Sequence, residues 1–497
     1  MGRSFTKSES VNHFLSKVSE QVKYKAVRAE IENELRDHIE DSANQCIEEG
    51  EGTEKAFESA VKQMGDPTMI GIELNKTHSI QNAYLFYILA GISVLFGIVS
   101  NFYYGYDLEY STYFLWGIVV LLGVVTFGYH MIAKHTKLVS LLSVIILLVL
   151  FIRVLTITMM HKIPNYHYSI FGVSFAYSII FLLIPMFVIM LYRRKNDGIL
   201  RLIFPFSLIL LPILIQKLYY YDVFLISAFA IFILGAIITY VLLVVRGYFF
   251  VGRKKASLLG ISCFVVILTA FISVFHDGSI RNMDSSMYTR LEEAITLMVN
   301  PEKHATSTWK DGYNGVLIKK LLSDAELLGE INLTQEEMME YGIGSWFFSS
   351  EEQMRDVKYL HYDIDDVTLE NILPQHYLNN YRVAYVILKY GWCAGVLFLA
   401  ALALIIVTMF RVTMQIRNSL GFALALSGSV LITLQMILYA LGNFGYQFGK
   451  FCNLPLISEG TMSVTVNMIL IGLIISAYRY DRVVDIIVKK NRKKLRA

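Results

Sequence analysis

Charge is scarce in this chain. Of its 497 residues only 17% are Asp, Glu, Lys or Arg, where a soluble chain carries about 25%. That scarcity excludes a disordered protein and an ordinary soluble enzyme. An excess of one sign is missing too, since the net charge is only +3. No nucleic-acid partner is expected at so small a value. Cysteine is rare: Cys46, Cys263, Cys393 and Cys452 sit far apart, with no CxxC or Cys/His spacing. A disulfide scaffold and a clustered metal site are thereby excluded. The first 80 residues contain no long apolar run, so no cleavable signal peptide is expected there. The start Met1-Gly2-Arg3-Ser4-Phe5-Thr6 fits the loose myristoylation pattern, but a chain with many membrane spans needs no lipid anchor.

Apolar residues fill the rest. They make up 55% of the chain, aromatics make up 13%, and the mean hydropathy is +0.50. A helix needs about 20 apolar residues to cross a bilayer. Ten stretches qualify: 82–100, 112–133, 138–160, 171–192, 199–217, 222–245, 257–276, 382–410, 419–445 and 462–479. Only helices satisfy their own backbone in lipid, so the fold expected is an all-α polytopic membrane protein of about ten transmembrane helices. One set of loops is basic, with Lys134 and Lys137, Arg193 to Lys195, Arg246, Arg253 to Lys255, Arg411 and Arg417. The other set is poor in charge and rich in aromatics, as in Tyr219-Tyr220-Tyr221. By the positive-inside rule both termini are cytoplasmic.

Three parts lie outside the spans. Residues 1–80 carry apolar stripes at helical spacing: Val11, Phe14, Leu15, Val18 and Val22, then Ile31, Leu35, Ile39 and Ile47, then Phe57, Ala60, Val61 and Met64. Gly65-Asp66-Pro67 marks a helix stop followed by a capped restart. A small helical cytoplasmic domain is expected. The segment resembles the HAAS domain through Arg28, Ile31, Glu34-Leu35, His38-Ile39-Glu40-Asp41, Gly50, Ala56, Ala60, Met64 to Pro67 and Ile70-Gly71. That resemblance implies a sensory or regulatory module with a cytoplasmic regulator as partner. The acidic His38 stretch reads more simply as a solvated helix face. The second part is the loop 277–380, with 19 acidic against 8 basic residues, expected on the exterior. The third is the basic tail 481–497.

From about residue 285 the chain resembles the SEDS (FtsW/RodA/SpoVE) family. The residues that carry the likeness are Leu454-Pro455-Leu456-Ile457-Ser458-Glu459-Gly460 before the last span and Gln435 in span nine. Arg290, Pro301, Gly312-Tyr313 and Leu321 to Gly329 fit in the large loop, as do Tyr385-Val386-Ile387, Gly391-Trp392 and Gly395 in span eight. The family architecture is also ten spans with one large outer loop before span eight, so 81–480 is read as a SEDS-like membrane domain. The resemblance implies a bacterial plasma-membrane protein of cell-wall assembly in cell shape, division or sporulation. It implies peptidoglycan glycosyltransferase chemistry on an undecaprenyl-linked precursor, lipid II, with a class B penicillin-binding protein as partner.

The chain departs from the family at the loop–span-eight junction. The family's catalytic Asp falls on Asn380, and an amide accepts no proton at neutral pH. The upstream acids Asp363, Asp365, Asp366 and Glu370 are the candidate substitutes, Asp365 and Asp366 first among them. The acidic pair of the family becomes Leu388 and Lys389, and Glu459 replaces a Tyr. For substrate binding the candidates are Arg153, Lys389, Gln435, Ser458, Glu459 and Gly460. Arg153 and Lys389 are cations read as lying inside spans three and eight, suited to a lipid diphosphate. The plainer readings are snorkelling or a backbone carbonyl partner for Arg153 and an internal pair with a carboxylate such as Glu459 for Lys389. Ser458 and Gly460 also suit a tight loop. No cofactor is expected; a divalent cation is left open. Three functions stay in play: a polymerase, a non-catalytic precursor binder or regulatory scaffold, and a transporter of lipid-linked sugars. The last should bring internal repeats, and none is evident.

Overall fold

The computed structural model describes residues 9–103, 108–142, 144–145, 148, 177–218, 226–276, 291–304, 311–334, 337, 368–374, 377–449, 453–458 and 460–483. Among the described residues every regular element is helical. Four helices come first: α1 (Glu9–Gln21), α2 (Lys25–Glu48), α3 (Thr53–Met64) and α4 (Pro67–Thr77). Their apolar stripes close on one another, with Val11, Phe14, Leu15, Val18, Ile31, Ile39, Phe57 and Ala60 all buried. Gly65 turns the chain at φ 90°, the Asp66 side chain accepts the Thr68 N–H at 2.9 Å, and Pro67 opens α4. A Cβ on Gly71 would lie 2.7 Å from Gln21 Cβ, which is why α4 can rest on α1.

Among the described residues six helices are long and apolar enough to cross a membrane: Thr112–Lys134, Ile226–Val245, Arg253–Val274, Trp392–Gln415, Ser419–Asn443 and Met462–Arg479. The chain is a helical multi-pass membrane protein. In element terms, α5 (Tyr84–Tyr103) precedes α6 (Leu108–Gly123), a π-helical stretch and α7 (Tyr129–Lys134). Then come α8 (Leu183–Arg194), α9 (Ile199–Ile203), α10 (Ser207–Leu218), α11 (Ile226–Val245) and α12 (Arg253–His276). The loop segment holds α13 (Leu291–Val299), α14 (Asp311–Ser323), α15 (Leu369–Ile372) and α16 (Tyr377–Asn380). The last four are α17 (Arg382–Tyr390), α18 (Trp392–Gln415), α19 (Ser419–Asn443) and α20 (Thr461–Arg479). Most of the expected third span lies outside the described residues. The expected fifth span is divided at a 3-10 turn containing Pro205, because proline has no N–H to continue the ladder.

The centre of the bundle is α19, which packs on α8, α11, α18 and α20. Small residues let these backbones approach closely. A Cβ on Gly428 would meet the Leu470 carbonyl at 3.1 Å. Hydroxyls and amides bridge the contacts: Thr413 to Ser429 at 2.8 Å and Gln435 Nε2 to Asn467 Oδ1 at 3.0 Å.

Span eight is corrected by the structure. The apolar run from 382 does not form one helix, because Gly391 takes φ 87° and separates α17 from α18. Residues 326–331 of the large loop fill the break. Trp392 and Cys393 donate their N–H groups to the carbonyls of Glu326 and Leu327 at 2.9 and 3.1 Å. In return Gly329 and Ile331 donate to the carbonyls of Tyr390 and Leu388 at 3.3 and 2.8 Å. The orphan groups of two helix ends are thus satisfied by one loop segment.

At the opposite end of the bundle the N-terminal helices meet α20. Arg482 donates to the Lys76 carbonyl at 2.9 Å, the Gln81 N–H donates to the Arg479 carbonyl at 3.2 Å, and the Tyr24 and Tyr480 rings lie 6.5 Å apart. The buried Asp481 carboxylate accepts the N–H groups of Arg417 and Asn418 at 3.0 and 2.7 Å.

Candidate functional site

The site is built on α16, the start of α17, the end of α19 and the loop before α20. Asn443, fully buried in α19, ties it together. Its Oδ1 accepts the N–H groups of Val383 and Ala384 at 2.9 and 3.1 Å, capping α17 from a neighbouring helix. Its Nδ2 donates to the Asn380 carbonyl at 3.0 Å. One turn earlier the Tyr439 hydroxyl donates to the Asn379 carbonyl at 2.8 Å and accepts the Arg382 N–H at 3.1 Å. Tyr381 reaches Gln447 Oε1 at 3.0 Å.

The loop 454–460 joins the same node. The Ser458 hydroxyl donates to the Asn379 carbonyl at 3.0 Å and accepts the Leu454 N–H at 2.9 Å. Leu456 takes a left-handed conformation, φ 73°, which costs a leucine about 1 kcal/mol or more. The loop is pressed by α5 from outside, where a Cβ on Gly97 would lie 2.9 Å from the Ile457 carbonyl. Gly460 starts α20 at φ 120°. Two segments 79 residues apart in the chain thus meet through Ser458 and Asn379.

Beside this node runs a groove of about 530 Å³ between α5, α17 and α18. Phe96, Leu378, Tyr385, Val386, Leu397 and Phe398 line it together with Arg382. The Arg382 side chain is buried at 2% exposure, its Nε donates to the Leu378 carbonyl, and its guanidinium lies 6.0 Å from the Phe96 ring centre. An apolar channel with a guanidinium in its wall suits a chain-bearing anion. Val396 and Leu397 on α18 are widely exposed, so the groove opens beside a lipid-facing surface.

Lys389 is the second cation, and the structure moves it out of the span. It lies in the last turn of α17, with Glu330 at 2.9 Å and Glu370 at 3.3 Å. Glu370 also accepts the Tyr385 hydroxyl at 3.1 Å. Partial burial works to raise the Glu370 carboxyl, but a backbone N–H and Lys389 outweigh it and hold the group below the usual glutamate range. Burial likewise works to lower the Lys389 ammonium, and the two carboxylates outweigh it and push the group up. Glu370 and Lys389 are therefore both ionised at neutral pH.

The comparisons bring no family to this site. No protein-family model matches the chain, and no curated protein matches it at a significant level.

Of the residues singled out from sequence, Asn380 and Ser458 share the node, and Gly460 shapes the loop beside it. Gln435 is buried deeper, on Asn467 and the Leu431 carbonyl. Lys389 sits at the far end of α17. Arg153, Asp363, Asp365, Asp366 and Glu459 lie outside the described residues. Among the described residues no group of three His, Cys, Asp or Glu side chains could hold a metal. Sequence reasoning missed Arg382, Asn443 and Tyr439. An arginine at the first position of a long apolar run was the available signal for Arg382. Nothing in the sequence marked Asn443 or Tyr439.

Proposed function

We propose that this chain is a SEDS-like protein that binds a polyprenyl-linked glycan precursor at the loop-bearing membrane face without polymerising it. The observation that carries the reading is the hydrogen bond from Ser458 to the Asn379 carbonyl. It joins the 454–460 segment, whose residues resemble the family, to the loop–span-eight junction, next to a groove that offers apolar walls and the Arg382 guanidinium. The polyprenyl chain would lie in the groove and the diphosphate near Arg382. Polymerisation requires a base for the attacking sugar hydroxyl. Asn380 supplies an amide at that position, and the Glu370 carboxylate is committed to Lys389 and Tyr385.

The reading carries the finer topology with it: ten spans, both termini in the cytoplasm, the large loop outside, and a bacterial plasma membrane. A class B penicillin-binding protein is the proposed partner in cell-wall assembly. The contacts of Tyr24 and Lys76 with the end of α20 favour a regulatory role for residues 1–80 within the same protein.

The test is binding of fluorescent lipid II by the purified full chain. Saturable binding is expected, weakened about tenfold by Val386→Trp, which fills the groove, since a buried apolar chain carries most of the affinity. Binding unchanged by Val386→Trp and by Leu397→Trp rejects the groove as the site.

A further inference from the structure

A second crevice lies at the other end of the bundle, far from the groove in the fold. Its volume is about 290 Å³, and Lys137, Ser140, Leu141, Val144, Met190, Arg193, Arg194 and Phe204 line it. Its membrane end is fixed by its neighbours. His130 of α7 lies 6.5 Å from the Tyr480 ring, and Lys195 donates to Ser419 at 2.7 Å. The crevice therefore belongs to the end that carries the N-terminal helices.

Its chemistry is divided. Lys137, Arg193 and Arg194 supply three cations at the rim. Leu141, Val144, Met190 and Phe204 form an apolar floor, and Leu141 is 57% exposed, so the crevice opens sideways toward lipid. Arg194 stacks over the Phe204 ring at 5.1 Å, which orients its guanidinium fork. The local carboxylate, Asp197, is divided between Arg194 at 3.9 Å and Arg201 at 3.8 Å, both at the outer edge of ion-pair distance. Ser140 donates to the Thr136 carbonyl at 2.9 Å and so brings no donor to a ligand. Positive charge exceeds negative at the mouth, and beneath it is space for a phosphate and the first carbons of an acyl chain.

We infer that this crevice binds one anionic phospholipid of the leaflet on the side of the N-terminal helices. The phosphate sits among Lys137, Arg193 and Arg194, and one acyl chain lies over Leu141, Val144 and Phe204. Basic pockets between spans recognise anionic head groups in this way. A zwitterionic choline lipid is disfavoured, because its ammonium would meet the same three cations. The site is independent of the groove at α17 and of any glycan precursor.

Native mass spectrometry of the full chain, purified in mild detergent, tests it. Dioleoylphosphatidylglycerol and dioleoylphosphatidylcholine are added in equal amounts. The native chain should retain the glycerol lipid about tenfold over the choline lipid. The preference should fall to near parity in Lys137→Gln/Arg193→Gln/Arg194→Gln. It should persist in Arg253→Gln/Lys254→Gln/Lys255→Gln, which removes the same charge at the start of α12. Should the first triple variant not survive purification, the exposed Arg193→Gln alone should reduce the preference about threefold. Excess inorganic phosphate should not displace the lipid. No preference in the native chain, equal loss in both triple variants, an unchanged preference in Arg193→Gln, or displacement by phosphate alone would overturn the inference.

Discussion

Asn443 concentrates more of the site in one side chain than any residue singled out from the sequence. It satisfies two N–H groups of α17 and the Asn380 carbonyl from a fully buried position. Asn443→Ala leaves those groups unpaired, at a cost of about 2–3 kcal/mol, and should lower the thermal unfolding midpoint in detergent by several degrees. A midpoint unchanged within error would mean that water replaces the amide. Lys389 acts at the surface, with Glu330 at 46% side-chain exposure and Glu370 at 30%, so Lys389→Ala should cost about 1 kcal/mol or less. The pH dependence has a definite sign. The Glu370 pKa is depressed on folding, so its contribution is present above 4.5, the ordinary value, and lost as pH falls through the lower folded value. The Lys389 pKa is raised, so its contribution is present below 10.5 and lost only as pH rises beyond that. The difference in unfolding midpoint between native chain and variant should therefore hold across neutral pH and shrink in acid below 4.5. A difference that grows on acidification would contradict the pairing. Asn380, Ser458 and Gly460 stand in the two stretches that the sequence singled out, the loop–span-eight junction and the 454–460 segment. Arg382 and Asn443 were not, because burial of one polar side chain among apolar neighbours leaves no period in the sequence.

Gly391 decides the division between α17 and α18. Its φ is 87°, and a Cβ there would lie 2.6 Å from the Leu327 carbonyl oxygen, so the position has no room for a side chain. Gly391→Ala should strain the backbone by about 1–3 kcal/mol and loosen residues 326–331, which would exchange their amide hydrogens faster. Unchanged protection at Gly329 and Ile331 would show that the two helix ends do not depend on that segment. Hydropathy merged α17 with α18 because residues 382–410 are apolar almost throughout. The run records composition, whereas the break rests on a backbone torsion and on partners some 60 residues upstream. Lys389 was the legible sign, since a lysine is costly inside a span. In the first four helices the apolar stripes and Gly65-Asp66-Pro67 were enough to place elements, because there the helix period and the cap are local properties. The fifth span shows the intermediate case: Pro205 is visible in the sequence, but an apolar window averages it away.

At the scale of the whole molecule, long uncharged runs made a multi-pass helical protein legible, and six helices among the described residues meet the length and composition that a membrane crossing needs. How the helices pack was not legible, since α19 owes its central place to Gly428, Ser429 and Gln435, small or polar residues that no hydropathy window weights. The positive-inside argument predicts sides. Reporter fusions after residues 195, 252 and 414 should read as cytoplasmic and a fusion after 330 as exterior. A cytoplasmic signal at 330 would place the large loop, α17 and the groove on the wrong side for an exported glycan precursor. The central claim is precursor binding without polymerisation, and one measurement addresses it most directly: the purified full chain, with and without a class B penicillin-binding protein, incubated with labelled lipid II and read for both bound lipid and glycan product. The account predicts bound lipid and no polymer, because general acid–base assistance worth about 10²–10⁴-fold is absent at Asn380. Robust polymer from the unmodified chain would contradict it and assign the base to a carboxylate such as Glu370.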